Sequence, residues 1–392
     1  INADNSFQPY SLPLSYRLRR ATTGLLQLLF QMLRHLIPSS GYLYYAEDFF
    51  DSNVLLAYRE HRKQHPEEVW LLGRKLKQKI FELDSDNHVL QGLSCHSLWR
   101  CLRAKKLVVD HEYTGQVFSL LRRYIPVIQL WHGLPYKALS GNIHYPHICD
   151  EAFISSSDWF NQHVFPKIFR AKHYLALGYP RNDAFSQPAE QRDWINAEPL
   201  SLLHKVLQDT GDIIVYAPTY RDWGDNDYPL DLEDLNAWCQ TQRVSFVLKF
   251  HPFISRKFAA AMQLDNLNSL QSLPGLPHIY LYPSGKNVYP WLAEAKVLIS
   301  DYSSIAYDFM LTGKPIIYYQ YDIEKYRELR GETLVADEDF IAGSVAHKQQ
   351  QLAQLLSDSE ASELQLTRKA LTEKYMLKSK QATSEIVCYI RR

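Results

Sequence analysis

Short apolar runs recur along this chain, each stopped by a polar residue or a glycine and followed by a helix-like stretch. Lys106-Leu-Val-Val-Asp110, Pro126-Val-Ile-Gln-Leu130, Ala152-Phe-Ile154 and Tyr174-Leu-Ala-Leu177 form one group. Ile213-Ile-Val-Tyr216, Ser245-Phe-Val-Leu-Lys249, Ile279-Tyr-Leu-Tyr282, Val297-Leu-Ile299 and Ile316-Ile-Tyr-Tyr319 form a second. Runs this apolar and this short suit strands buried on both faces. Their alternation with helices predicts parallel sheets covered on both sides. At 392 residues the chain is long for a single core, so two domains are expected. The expected divisions are an amphipathic helical segment over 1–40, a first Rossmann-like domain over 41–185, a second over 190–370 and a terminal helix over 371–392. The polar stretch 184–200 links the two domains, and 345–392 reads as helical throughout.

The clearest single unit is Lys296-Val-Leu-Ile-Ser-Asp-Tyr-Ser-Ser-Ile-Ala-Tyr-Asp-Phe-Met310. It reads as a strand stopping at Ser300 and feeding a helix. Ser303 and Ser304 stand at the helix N-terminus as candidate caps, and Gly313 and Pro315 supply the stop. A strand, a polar turn and a helix N-terminus concentrate free N–H groups at one spot, which suits an anion. Other runs end alike: His132-Gly133 after Trp131, Ser155 to Ser157 after Ile154, Gly178-Tyr-Pro-Arg181-Asn-Asp183 after Leu177, Thr219 and Arg221 after Tyr216, and His251 after Phe250. Ligands of open α/β sheets bind at the carboxyl ends of strands, so a cleft between two such domains would gather this set. Its chemistry is cationic and hydroxylic, suited to a diphosphate with one general base.

Composition removes several classes. No apolar run reaches the ~20 residues that cross a bilayer, and no secretory signal is evident. Five scattered cysteines (Cys95, Cys101, Cys149, Cys239, Cys388) suggest neither a zinc site nor a disulfide framework, and fit a reducing cytoplasm. Two DxD strings, Asp84-Ser-Asp86 and Asp225-Asn-Asp227, do not directly follow a strand and read as solvated loops. Arg, Lys and helix ends can neutralise a diphosphate, so no metal and no cofactor are expected. Charge is split: residues 1–185 hold 22 Lys/Arg against 16 Asp/Glu, whereas 186–392 hold 21 against 27. A basic first half points to an anionic surface or substrate. Residues 14–37 sharpen this point, with Leu25 to Ile37 apolar and Arg17, Arg19, Arg20 and Arg34 flanking. That pattern suits a helix lying in a membrane interface, or one packed on its own domain.

Taken in order, these motifs resemble those of the CDP-glycerol:poly(glycerophosphate) glycerophosphotransferase family, the teichoic acid primases and polymerases. Trp131-His132-Gly133-Leu134-Pro135-Tyr136-Lys137 resembles the family's HGxPxK, and Gly178-Tyr179-Pro180-Arg181-Asn182-Asp183 its GxPRxD. Tyr216-Ala217-Pro218-Thr219-Tyr220-Arg221 is similar to YAPTxR, and Lys249-Phe250-His251-Pro252 to RPHP with Lys and Phe substituted. Ile299-Ser-Asp-Tyr-Ser-Ser304 through Asp308 resembles ISDYSSxxFD with Tyr307 for Phe, and Tyr326 and Arg330-Gly331 also fit. The likeness runs from about residue 52 to 380. Residues 41–53 diverge, and Asn287 stands where the family usually has Asp.

The resemblance implies a GT-B-like α/β fold, two Rossmann-like domains with the active site in the cleft between them. It implies transfer of glycerol phosphate or ribitol phosphate from a CDP-alditol to an acceptor hydroxyl, with release of CMP. The acceptor would be a polymer or lipid-linked saccharide, and the product a teichoic-acid-like or capsular polymer. The enzyme would be cytoplasmic and peripheral on the inner face of the cell membrane, with no nucleic-acid partner. His132 is the expected general base. Arg181, Arg221 and His251 would stabilise phosphate oxygens and the leaving CMP. Thr219, Ser303 and Ser304 would hold the diphosphate, with Lys249 beside it, and Lys137 would serve the acceptor phosphate. Asp301 and Asp308 would orient neighbours or touch ribose. Two other readings stay open at this point: a GT-B glycosyltransferase using a nucleotide sugar, and a non-catalytic subunit of a polysaccharide complex.

Overall fold

Tyr42-Leu-Tyr-Tyr-Ala46 is buried at every position and forms an interior strand, β1, of the first sheet. The computed structural model describes residues 27–46, 53–73, 88–92, 94–113, 116–137, 149–192, 194, 196–221, 223–224, 228–264, 266–331, 333–358, 361–378 and 380–392. Both DxD strings and the part of the predicted N-terminal helix before residue 27 lie outside these residues. The first sheet adds β2 (Val69–Gly73), β3 (Val89–Gln91), β4 (Lys106–Val109), β5 (Val127–Gln129), β6 (Asp150–Ser155) and β7 (Ala171–Ala176). Its order is β3-β2-β1-β4-β5-β6-β7, parallel throughout.

The second sheet is built from β8 (Asp212–Tyr216), β9 (Val244–Leu248), β10 (Gln271–Leu273), β11 (Leu276–Leu281), β12 (Val297–Ser300), β13 (Ile316–Tyr319) and β14 (Ser344–Ala346). Its order is β10-β11-β9-β8-β12-β13-β14, with a single antiparallel pair, β10–β11, at one edge. Both orders are doubly wound. The direction of winding reverses between β1 and β4 in one sheet and between β8 and β12 in the other, and such switch points open a crevice at the strand ends. The two-domain α/β expectation therefore holds. The strands β1, β2, β3, β10 and β14 are additions to the sequence reading. The expectation of unbroken helix over 345–392 is corrected. Ser344–Ala346 is an edge strand, and three separate helices follow: Gln349–Ser357, Ser362–Lys374 and Ala382–Arg391.

The last helix crosses back to the first sheet. Ile386 and Ile390 are fully buried there with Tyr42, Val54 and Ile128. The turn after β7 docks it. Asp183 accepts the N–H groups of Ala382 and Thr383 at 2.8 and 2.9 Å, satisfying two of the donors that every helix start leaves unpaired. Gly178, at φ +93°, lies so close that a Cβ there would stand 2.7 Å from the Cβ of Ala382. Between the domains the linker is clamped to the second one. Asn287 N–H donates to the Asn196 carbonyl at 2.6 Å, and Trp291 Nε1 donates to the Glu198 carbonyl at 3.1 Å. Asn287 also steadies the start of the helix Tyr289–Glu294 from one residue before its cap position, its Oδ1 accepting from Tyr289 N–H at 2.9 Å, a task an amide oxygen performs as well as a carboxylate. One apolar cluster runs through both domains and joins Trp131, Tyr136 and Tyr179 to Tyr289, Tyr307 and Phe340.

Candidate functional site

At the first switch point Asp110 and His111 directly follow β4, and His132 comes three residues after the end of β5. Asp110 is fully buried. Its Oδ2 accepts the N–H of Val54, from the start of the helix Asn53–Gln64, at 3.1 Å, and its Oδ1 lies 2.7 Å from His111 Nδ1. Burial pushes the Asp110 carboxyl up, but His111 and the Val54 N–H outweigh it and hold the group below its usual range. The Asp110 carbonyl can only accept, so its 2.8 Å contact with His132 Nδ1 places the proton there and leaves Nε2 as the lone-pair nitrogen. Burial, then the neighbouring His111, pushes His132 down to about 3. Trp131 carries the turn in the left-handed region at φ +50°, an uncommon conformation for a bulky side chain. Gln129 Oε1 accepts its N–H at 3.0 Å and Asn53 Nδ2 donates to its carbonyl at 2.8 Å, which holds the turn from both sides.

The second switch point is a lattice of charge. Arg221 has no exposed surface. It donates through Nε and Nη2 to both carboxylate oxygens of Asp322, at 2.8 and 3.0 Å, through Nη1 to the Thr219 carbonyl at 2.6 Å, and pairs with Asp301 at 2.8 Å. Asp301, equally buried, accepts from Thr219 N–H at 2.9 Å, Thr219 Oγ1 at 2.7 Å and Tyr302 N–H at 2.6 Å. Although burial opposes the charge, these carboxylates raise the Arg221 pKa above its ordinary value. Tyr302 and Tyr326 stack at 3.6 Å beside the guanidinium. Ser303 Oγ accepts the Ile305 N–H at 3.4 Å, whereas Ser304 occupies the cap position of Ile305–Met310 without spending its hydroxyl on a cap.

These two walls touch. A Cβ built on Gly133 would lie 2.6 Å from Ser304 Oγ and 3.1 Å from Arg181 Nη2, so only glycine, at φ +142°, fits between His132 and the second domain. Arg181, in the 3-10 turn Pro180–Phe185, crosses the boundary to Asp308 with Nε and Nη2 at 3.1 and 2.6 Å from Oδ2. Asp308, buried, also accepts from Asn182 Nδ2 at 3.0 Å and from Tyr289 hydroxyl at 2.5 Å. Burial alone would lower the Arg181 pKa; Asp308 reverses this and raises it.

The structure thus brings His132, Arg181 and Ser304 to one junction, with Thr219, Asp301 and Arg221 grouped on the facing wall. His251 follows β9 as the cap of Pro252–Ala261, its ring stacked 4.8 Å from Tyr220. Lys249 lies over Tyr282 at 6.0 Å. Lys137 stands farther along, paired in a short antiparallel bridge with Thr333, while Tyr136 carbonyl accepts from Leu334 N–H at 2.8 Å. Sequence reasoning missed Asn53, whose amide joins the Trp131 turn to Arg181 N–H (3.2 Å), and also Asp110, His111 and Asp322. Asp110 and His111 do end a predicted strand, a signal that could have found them; Asn53 and Asp322 carry none. A surface recess of about 560 Å³ lies away from this junction, lined by residues such as Asn266, Gln271 and Pro277. Among the described residues, no group of three or more His, Cys, Asp or Glu is placed to hold a metal ion.

The family described as CDP-Glycerol:Poly(glycerophosphate) glycerophosphotransferase matches residues 42–391. A teichoic acid poly(glycerol phosphate) polymerase of Bacillus spizizenii is 27% identical over 295 residues, covering 67% of this chain and 68% of that protein. A teichoic acid poly(ribitol-phosphate) polymerase of the same organism is 24% identical over 365 residues, covering 88% of this chain and 55% of the relative. The chain therefore spans about half the length of the second relative. The wall teichoic acid polymerase TagF has the same fold, with a TM-score of 0.69 at 16% identity and 96% of each chain covered.

Proposed function

The chain belongs to the CDP-glycerol:poly(glycerophosphate) glycerophosphotransferase family, and on that premise we propose that it moves an alditol phosphate, glycerol phosphate or ribitol phosphate, from a CDP-alditol to an acceptor hydroxyl. The acceptor oxygen attacks the β-phosphorus, the bond from that phosphorus to the bridging oxygen breaks, and CMP leaves. A teichoic-acid-like polymer is the product class. The observation that carries this reading is the junction itself. His132 keeps Nε2 as its lone-pair nitrogen because Nδ1 is committed to the Asp110 carbonyl, and it does so one residue from the contact of Gly133 with Ser304.

In this reading His132 accepts the hydroxyl proton. A pKa pushed down to about 3 keeps the ring neutral but makes it a weak base. A bound diphosphate brings negative charge to the junction and shifts that value upward, toward the range where proton transfer is efficient. Phosphoryl transfer needs mainly positioning and charge. Ser303 and Ser304 offer hydroxyls to the diphosphate from the helix start, and Arg181 and His251 supply positive or hydrogen-bonding character to the phosphate oxygens and the leaving CMP. Thr219, Asp301 and Arg221 act through one another: with its guanidinium buried between two carboxylates, Arg221 fixes the loop that presents Thr219. Lys249 and Lys137 lie to either side as substrate contacts. The test is CMP release from CDP-glycerol and CDP-ribitol with a teichoic acid primer. Turnover of nucleotide sugars with nucleoside diphosphate release, and none with either CDP-alditol, would overturn the reading.

The acceptor is proposed to be a polymer or lipid-linked saccharide at the cytoplasmic face of the membrane. No helix among the described residues is long and apolar enough to cross a membrane. Residues 27–36 are helical; Phe30, Leu33 and Ile37 pack on the first domain, and Arg34 donates to the carbonyls of Cys101, Leu102 and Ala104 at 3.1–3.2 Å. Leu28, Leu29, Met32 and Leu36 face outward, 48–76% exposed, and the helix that Arg34 caps adds the outward Leu98 and Trp99 near Arg100 and Arg103. Such a face suits burial at an anionic headgroup boundary. Co-sedimentation with phosphatidylglycerol vesicles, and its loss in a Leu36→Ser, Trp99→Ser double variant, checks this; unchanged binding removes the face from the account.

A further inference from the structure

A second imidazole lies flat against that of His132. The His111 ring is 4.1 Å from it, centroid to centroid, and 8° from parallel. His111 Nδ1 is 2.7 Å from a carboxylate oxygen of Asp110, and the backbone carbonyl of that same Asp110 holds His132 Nδ1–H at 2.8 Å. One buried residue therefore orients both rings, by its side chain on one and its backbone on the other. Asp110 is itself pinned by the Val54 N–H. Behind His111 stands Tyr113, 5.8 Å away, which is backed in turn by Tyr45 and Phe118.

The electrostatic influence of His111 falls on the face of His132 and opposes a second proton there. The other charged groups facing His132 are Asp110, which opposes His111, and Arg181, whose charge is shared with Asp308. Trp131 packs against the ring at 4.1 Å and carries no charge.

We propose that His111 is a positioning residue for the transfer: its ring, tied to Asp110, holds the plane of His132 and opposes protonation there, which shapes the acidic limb of the reaction. The inference rests on His132 being the base. It gives the Asp110–His111 pair a task that substrate binding alone does not require.

The experiment is CMP release at saturating CDP-alditol, the state in which the bound diphosphate raises His132, from about pH 4 to about pH 9 for the wild type, His111→Phe, His111→Ala and His132→Ala. His111→Phe keeps a flat ring and removes the imidazole nitrogens. Its acidic limb moves up by roughly one pH unit while the plateau stays within about threefold. His111→Ala removes the ring as well, and its plateau falls about tenfold with the donor KM little changed. A limb and plateau equal to wild type in both variants would overturn the proposal. So would a donor KM that rises as much as kcat/KM falls, since His111 would then be a binding residue. Full activity in His132→Ala overturns the base assignment beneath it, an outcome distinct from an inactive His132→Ala beside a wild-type His111→Phe profile.

Discussion

At one switch point the polar groups are imidazoles, and His132 there is pushed toward its neutral form by burial and by His111; at the other they are a guanidinium and carboxylates kept charged by pairing. Asp110, His111 and His132 follow β4 and β5 in the first sheet, while Thr219, Arg221 and Asp301 follow β8 and β12 in the second. Both sheets place these residues just past strand ends near the reversal of winding. What differs is how each site resolves the cost of burying polar chemistry. A neutral imidazole needs a hydrogen-bond partner for its N–H and remains able to take up a proton. A buried guanidinium needs full carboxylate pairing and can take up nothing. The first wall is thus suited to proton handling and the second to rigid presentation of a loop.

Each half of that comparison can be broken separately. The largest effect is expected from His132→Ala, which should lower CMP release by about 10²- to 10⁴-fold while circular dichroism stays native. Near-wild-type release would remove the proton-handling role from the first wall. Arg221→Met should instead act on the fold. It strands Asp301 and Asp322 without their cation and should cost about 3–5 kcal/mol in urea unfolding; a stable variant that had lost only donor affinity would make Arg221 a phosphate ligand.

Acid should find the first domain before the second. His61 lies buried there, its Nδ1 2.9 Å from the Tyr44 hydroxyl and its Nε2 unpartnered, and burial pushes it down to about 4. The folded value is below the unfolded one, so the stability it contributes is complete above about pH 6.5 and is lost as pH falls toward 4, by at most about 1.4 kcal/mol per pH unit. The fall in melting temperature between those pH values should be shallower in His61→Gln; an identical slope would show that this histidine is not the acid-sensitive group. The smallest effect is expected from Ser304→Ala, a rise of about tenfold in the KM for the CDP-alditol with the acceptor KM unchanged. The reverse pattern would move Ser304 to the acceptor side.

Strand ends were legible because a parallel strand must be apolar and whatever follows it need not be. That contrast marked His132, Arg181, Thr219, Arg221, His251 and Ser304 from residue type and position alone. It could not tell a residue that faces substrate from one that faces a partner. Arg221 and Arg181 look alike in sequence, each a cation just after a strand. In the fold, Arg221 is sealed between Asp301 and an aspartate 101 residues further on, whereas Arg181 reaches 127 residues away to Asp308 at the domain junction. Asn53 was invisible for the same reason: its two bonds, to Trp131 and Arg181, span 78 and 128 residues. The short strands β3, β10 and β14, of three residues each, carry too little pattern to be read.

Period and polarity along the chain determined the two α/β domains, the order of the motifs and the chemical character of the ligand they suit. These are local properties, set by which residues a buried strand excludes. Only the tertiary structure decided which nitrogen of His132 keeps its lone pair, which arginine is sealed between two carboxylates and which crosses to the second domain, and that glycine alone fits between His132 and Ser304. Those outcomes depend on contacts between segments far apart in sequence, where burial, charge pairing and steric fit act on groups whose own neighbours say nothing about them.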